Sequence, residues 1–119
     1  MLTIWGRTNS INVQKVLCCC DEIGVPYQRI DAGMAFGVNK TENYLAMNPN
    51  GLVPTLNDDG FILWESHAMM RYLCRKYDTS HQITPENEQA FAKADQWCDW
   101  AQSVGWAAMR NLFWGMVRT

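Results

Sequence analysis

Residues 2–31 constrain the fold of this chain more than any other stretch. Leu2-Thr3-Ile4-Trp5 alternates and then meets Gly6, the pattern of a short strand. Ser10 is a good N-cap. Val13, Val16, Leu17 and Cys20 then fall at i, i+3, i+4 and i+7, on one face of a helix. Gly24 followed by Val25-Pro26 is a stop signal, and Tyr27–Asp31 reads as a second strand. Two strands joined by a helix of this length suggest a parallel βαβ unit, because parallel pairing needs a long crossover.

The remaining segments extend that unit. Ala32–Lys40 holds two glycines and reads as a loop, and Thr41–Met47 as a short helix. Asn48-Pro49-Asn50-Gly51 is a turn signal. Leu52–Leu56 and Phe61–Trp64 flank Asn57-Asp58-Asp59-Gly60, which predicts an antiparallel hairpin. A further helix is expected to start near Glu65-Ser66, with Met70, Leu73, Cys74 and Tyr77 as its apolar face. Asp78–Thr84 is polar and unpatterned. Thr84-Pro85-Glu86 then looks like a helix start, with only Gly105 and Gly115 as breakers before Val117. The order β-α-β-(α)-β-β-α is thioredoxin-like. An α/β domain is therefore expected over residues 1–77, a linker over 78–85, and over 86–119 the first helix of an incomplete all-α domain.

Composition removes several function classes. At 119 residues and 48% hydrophobic the chain is in the globular range. The net charge is −2 with no basic stripe, so nucleic acid is not an expected partner. Trp106–Val117, interrupted by Arg110 and Asn111, is too short to span a bilayer, so no membrane partner is expected. Met1-Leu2-Thr3 leads directly into structure-like sequence, and export is not expected. The cysteines at 18, 19, 20, 74 and 98 do not have disulfide-framework or zinc spacing. A reducing cytoplasm fits them better, and no metal is expected. Four of the six tryptophans follow residue 96, which hints at a different architecture toward that end.

Three places carry chemistry. Thioredoxin-like domains put their reactive group at the N-terminus of the first helix, where unpaired N–H groups and the helix dipole favour an anion. That position reads Ser10-Ile11-Asn12-Val13, not Cys-x-x-Cys. The chain has no thiol of its own there, since Cys18–Cys20 lie turns away, with Cys20 on the core face, Cys19 flanking it and Cys18 pointing away. A thiol-disulfide reductase is disfavoured. The Ser10 hydroxyl either donates to the thiolate of a ligand or only caps the helix. Val53-Pro54 is either a constrained, sometimes cis, bond that offers Val53's backbone to an extended peptide, or an ordinary edge-strand proline. Glu65-Ser66 either binds a carboxylate and an ammonium group at a helix start or merely caps that helix. A ligand with a carboxylate, an amine, an extended backbone and a thiol would use all three.

Gly6-Arg7-x-Asn9-Ser10-x-Asn12-Val13-Gln14-Lys15-Val16-Leu17 resembles the opening of bacterial cytosolic glutathione transferases of the serine type, theta-like in character. Asn48-Pro49-Asn50-Gly51-Leu52-Val53-Pro54-Thr55-Leu56 is similar to that family's turn and cis-proline segment. Trp64-Glu65-Ser66-x-Ala68-Met69-x-Arg71-Tyr72-Leu73 is similar to its glutathione-binding helix start. The resemblance covers residues 2–77 densely. It implies that Ser10 holds the glutathione sulfur as thiolate with support from Asn12. Val53 would pair with the cysteinyl part of glutathione, Pro54 would be cis, and Glu65 and Ser66 would bind the γ-glutamyl end. Lys40 would meet the glycine carboxylate, or else is a solvated loop lysine. Tyrosine-type members carry a Tyr near the end of the first strand, where this chain has Trp5-Gly6-Arg7. The triplet Cys18-Cys19-Cys20 stands where relatives often have bulky apolar residues. His67 stands where an asparagine is common, and is expected at the surface or in a supporting place.

The function so implied is conjugation of glutathione to small electrophiles, with glutathione as co-substrate. The alternative is a transferase-like binding or regulatory module without conjugating activity. Trp97, Trp100, Val104, Ala107 and Ala108 recur at helical spacing, which is ordinary core or, as in related transferases, part of a homodimer. The family's helical domain has several helices and this chain has room for one. Truncation after that helix, with reduced or absent conjugation, is the expectation.

Overall fold

The first strand, β1 (Leu2–Trp5), leads into helix α1 (Ile11–Ile23) and returns along β2 (Tyr27–Ile30). A 3-10 turn at Met34–Phe36 and helix α2 (Glu42–Met47) precede the hairpin β3 (Thr55–Asp58) and β4 (Phe61–Trp64), and α3 (Ser66–Tyr77) follows. The sheet order is β2-β1-β3-β4. β1 runs parallel to β2, with Leu2 opposite Tyr27, and antiparallel to β3, with Trp5 opposite Thr55. This is the thioredoxin-like mixed sheet. The computed structural model describes residues 1–113, and side chains as far as residue 110.

Local chemistry sets both ends of α1. Ser10 is extended, and its Oγ accepts from Val13 N at 3.4 Å. Gly24 closes the helix in the left-handed region (φ 75°), where its N–H reaches the carbonyls of Asp21 and Cys20. Gly6 lets α1 lie close to the end of β1, since a Cβ there would come within 2.4 Å of Val13 Cγ2.

Leu2 and Ile4 alternate inward from β1 and meet Leu56, Val16, Cys20, Met69 and Leu73 in one buried cluster. On the other face Trp5 meets Tyr44 of α2 edge-on at 6.2 Å. Cys19 and Cys20 are core side chains and Cys18 is exposed. Cys19 Sγ lies 3.8 Å from Cys74 Sγ. Burial pushes the Cys20 thiol up to about 12 and Cys19 higher, so neither is thiolate near neutral pH.

Several expectations need correcting. The buried side chains of α3 are Ser66, His67, Met69 and Leu73, while Met70, Cys74 and Tyr77 lie at the margin of the core. His67 is inside, which leaves the supporting place of the two expected for it. β3 starts at Thr55 and not Leu52, because pairing with β1 begins only after Pro54. The hairpin turn is Asp59-Gly60 alone, with φ of 51° and 98°, the two positive values a tight hairpin requires. Asp58 is a strand residue, and its buried carboxylate accepts from Tyr72 (2.6 Å), Lys76 (2.8 Å) and Tyr77 (2.8 Å). Burial alone would raise its pKa, but these hydrogen bonds and the Lys76 charge hold it at about 2.

The second helix start also differs. Thr84 does not cap it. Its N–H and hydroxyl donate to the Asp78 carboxylate, together with the N–H groups of Gln82 and Ile83. Those donors, the Thr84 hydroxyl foremost, lower the Asp78 pKa to about 2. Helix α4 (Glu88–Trp100) is capped by Asn87, whose Oδ1 accepts from Ala90 N at 2.8 Å. A π-helical turn at Ala101–Gly105 leads into α5 (Trp106–Phe113). The expected continuation to Val117 lies outside the described residues. The chain divides into two compact units between Thr84 and Pro85. Among the described residues no helix is long and apolar enough to cross a membrane.

Candidate functional site

The site begins at the N-terminus of α1. Ser10 is buried, and Asn12, in the first turn, is half-buried. Asn12 Oδ1 lies 3.2 Å from Lys15 Nζ, and the same ammonium lies 3.1 Å from Nε2 of buried His67.

A second wall is the loop before β3, where the Val53–Pro54 peptide is cis. A buried polar cluster shapes it. Asn48 Nδ2 donates to Leu52 O (3.0 Å) and Thr55 Oγ1 (3.1 Å), while its Oδ1 accepts from Asn50 N (3.0 Å). Tyr44 donates its hydroxyl proton to Leu52 O at 2.7 Å and lies 2.6 Å from Thr55 Oγ1. Every polar group of this cluster thus has a partner, which lets irregular backbone stay buried. Val53 lies outside the ladder between β1 and β3, which starts at Thr55.

The third wall is the start of α3. Glu65 precedes the helix at φ 80° and ψ 111°, a conformation that costs an L-residue of order 1–3 kcal/mol. Its side chain does not cap the helix, although its carbonyl accepts from Met69 N. Ser66 is the first helical residue and not the cap.

A cleft of ≈ 80 Å³ lies between these walls. Of the residues expected at the site, Asn12, Val53, Pro54, Glu65 and Ser66 all line it. Ser10 and Lys40 are not among its lining residues. Ser10 sits at the cap position two residues before Asn12. Lys40 is exposed, and its Nζ lies over the turn, 2.8 Å from where a Cβ on Gly51 would sit. Asn48, Asn50, Leu52 and Trp64 also line the cleft and were not foreseen as site residues. The sequence signals for the two asparagines were their turn chemistry and their place in the segment that resembles the family's cis-proline motif. Among the described residues Glu65 is the one charged residue lining the cleft, and two helix N-termini contribute oriented N–H groups. Such a cleft can take a ligand with both an anionic and a cationic end. Among the described residues no group of three or more His, Cys, Asp or Glu side chains could hold a metal ion.

Known proteins resemble this chain in sequence and fold. The family model "Glutathione S-transferase, N-terminal domain" matches residues 9–76. Glutathione S-transferase GstB of Escherichia coli K12 is 46% identical over 121 aligned positions, which take in 100% of this chain and 58% of that protein. The theta class glutathione S-transferase of the citrus canker pathogen Xanthomonas axonopodis pv. citri, solved with glutathione bound, superposes with a TM-score of 0.91 at 49% identity. That match covers 99% of this chain and 56% of the solved one. An epsilon-class glutathione S-transferase from the housefly Musca domestica matches with a TM-score of 0.83 at 30% identity, over 87% of this chain and 48% of that one. The chain thus spans a little over half the length of GstB. With the family model covering most of the unit that forms the cleft, this chain belongs to the glutathione S-transferase family and carries its N-terminal domain.

Proposed function

We propose that the chain binds glutathione in this cleft, and that the protein conjugates it to small electrophiles. The observation that carries the reading is the convergence of Asn12, the cis Val53–Pro54 loop and Glu65-Ser66 on one cleft. In this reading Ser10 donates a hydrogen bond to the glutathione sulfur with Asn12 in support. Capping and donation are compatible, because a hydroxyl that accepts from Val13 N keeps its own proton to give. Val53 pairs through its backbone with the cysteinyl part, beside cis Pro54. Glu65 meets the γ-glutamyl ammonium, and Ser66 with the α3 N-terminus meets the γ-glutamyl carboxylate. Lys40 faces the glycine carboxylate.

The chemistry asked of these groups is limited. The thiol proton leaves to solvent and the sulfur stays as thiolate, held by the Ser10 hydroxyl and the helix N-terminus. The thiolate then forms a bond to an electrophilic centre, whose leaving group departs with its electron pair. Residues 1–77 act as the glutathione-binding domain, 78–85 as the linker and 86–119 as the first helix of a helical domain. The protein works in the cytoplasm as a homodimer.

Calorimetry with millimolar glutathione tests the binding. Heat at a stoichiometry near one site per chain is expected, and none from a folded sample sinks the reading. Ser10→Ala should weaken the ultraviolet thiolate band of bound glutathione. An unchanged band makes Ser10 a cap only. A transferase-like binding or regulatory module without turnover is the second reading, because the fold alone does not fix the activity. Glutathione binding with no conjugation across a broad electrophile panel selects it.

A further inference from the structure

Asn12 is the one residue of α1 that lines the cleft, and its carboxamide oxygen is held by Lys15. Lys15 Nζ lies 3.2 Å from Asn12 Oδ1 and 3.1 Å from His67 Nε2. His67 is buried and follows the cleft-lining Ser66. One half-buried ammonium therefore joins the first turns of α1 and α3, two of the three walls of the cleft. An ammonium has three protons and no lone pair, so it is the donor in both contacts. Two consequences follow. With its oxygen engaged by Lys15, the Asn12 carboxamide is left to present its N–H donors elsewhere. For the second contact to be a hydrogen bond, His67 must accept at Nε2 and carry its ring proton on Nδ1.

We propose that Lys15 is a positioning residue of the glutathione site: by bridging Asn12 and His67 it fixes the Asn12 carboxamide with its donors turned to the glutathione sulfur. The inference rests on the glutathione reading above. Both bonds are charge-assisted and half-shielded from water, the setting in which such bonds are strongest. In the glutathione reading Glu65 is engaged by the γ-glutamyl ammonium, so the sulfur is held by the Ser10 hydroxyl, the α1 N-terminus and the Asn12 carboxamide, and orientation of the last depends on Lys15.

The experiment compares wild type, Lys15→Met, Lys15→Arg, Asn12→Ala and the Asn12→Ala/Lys15→Met double variant. Each is followed by glutathione calorimetry and by the ultraviolet thiolate band across pH. Loss of one charge-assisted bond should move the midpoint of the band in Lys15→Met up by about one pH unit. Lys15→Arg, which keeps the charge and the donors, should recover most of that shift. The double variant should be no worse than Asn12→Ala alone, because Lys15 acts through Asn12. Additive shifts overturn the proposal. Heat with an unmoved band in Lys15→Met overturns it alone, whereas no heat from wild type overturns the glutathione reading and this inference with it. A measurement without variants or ligand guards against misfolding. Imidazole nitrogen NMR of the wild-type protein should show His67 protonated on Nδ1, and a proton on Nε2 breaks the bridge.

Discussion

The two compact units spend their apolar side chains differently. The unit ending at Thr84 buries Ile4, Val13, Val16, Leu56, Met69 and Leu73 completely, and its irregular loops hang on buried polar clusters. In the unit from Pro85 no residue of α4 is buried, and Trp97 and Trp100 remain 63% and 49% exposed. Both units have well-formed helices, so helix formation does not separate them. Among the described residues what separates them is a core, because tertiary burial and not propensity supplies most helix stability in water. The cleft lies wholly in the unit that has the core. Its groups are held in place before any ligand arrives, which lowers the ordering cost of binding.

Mutations can sharpen or break that contrast. The largest effect is expected from Ile4→Ala, which empties a fully buried site and should cost about 3–4 kcal/mol in chemical denaturation. A loss under about 1 kcal/mol would mean that this core is not what holds the unit together. Next comes Asn48→Ala. It strips Leu52 O and Thr55 Oγ1 of a donor, and should cost about 2–3 kcal/mol while weakening glutathione binding. Stability lost with binding intact would uncouple the loop from the site.

Acid should act through Asp58. Its folded pKa is depressed, so its contribution is present above the ordinary carboxylate value of 3.8 and is lost as pH falls through about 2. The amount is at most about 2 kcal/mol, reduced by solvent screening of the half-exposed Lys76. In Asp58→Asn the slope of stability between these pH values should flatten, and an unchanged slope assigns it to other carboxylates. The smallest effect is expected in the second unit. Trp97→Ala should change the stability of a dilute sample by under about 0.5 kcal/mol. A larger, concentration-dependent loss would show that the exposed tryptophan face is covered in the assembled protein, as the homodimer reading requires.

What the sequence made legible was local. Ser10 and Gly24 bracket α1 because each acts on backbone within four residues of itself. The cis-proline segment and the Glu65-Ser66 pair were readable as motifs, and both line the cleft. Groups that meet across elements left no such trace. Asp58 looked like turn chemistry, yet its partners Tyr72, Lys76 and Tyr77 lie on α3, 14 to 19 residues away. That network draws Tyr77 to the margin of the core, and the buried stripe of α3 runs through Met69 instead of Met70. The contact between Lys15 and His67 spans 52 residues, beyond any periodicity. Thr84 scored as a cap because Asp78 could not be seen to claim it first.

Glu65 sets two kinds of fitness against each other. At φ 80° a glycine, having no Cβ, would sit with less strain, so the backbone alone would favour one. A glycine would also delete the only carboxylate that, among the described residues, lines the cleft. Selection for melting temperature should therefore drift toward Glu65→Gly and lose glutathione affinity as it does, whereas selection for binding should hold the strained residue. A library sorted separately on the two traits would divide at this codon.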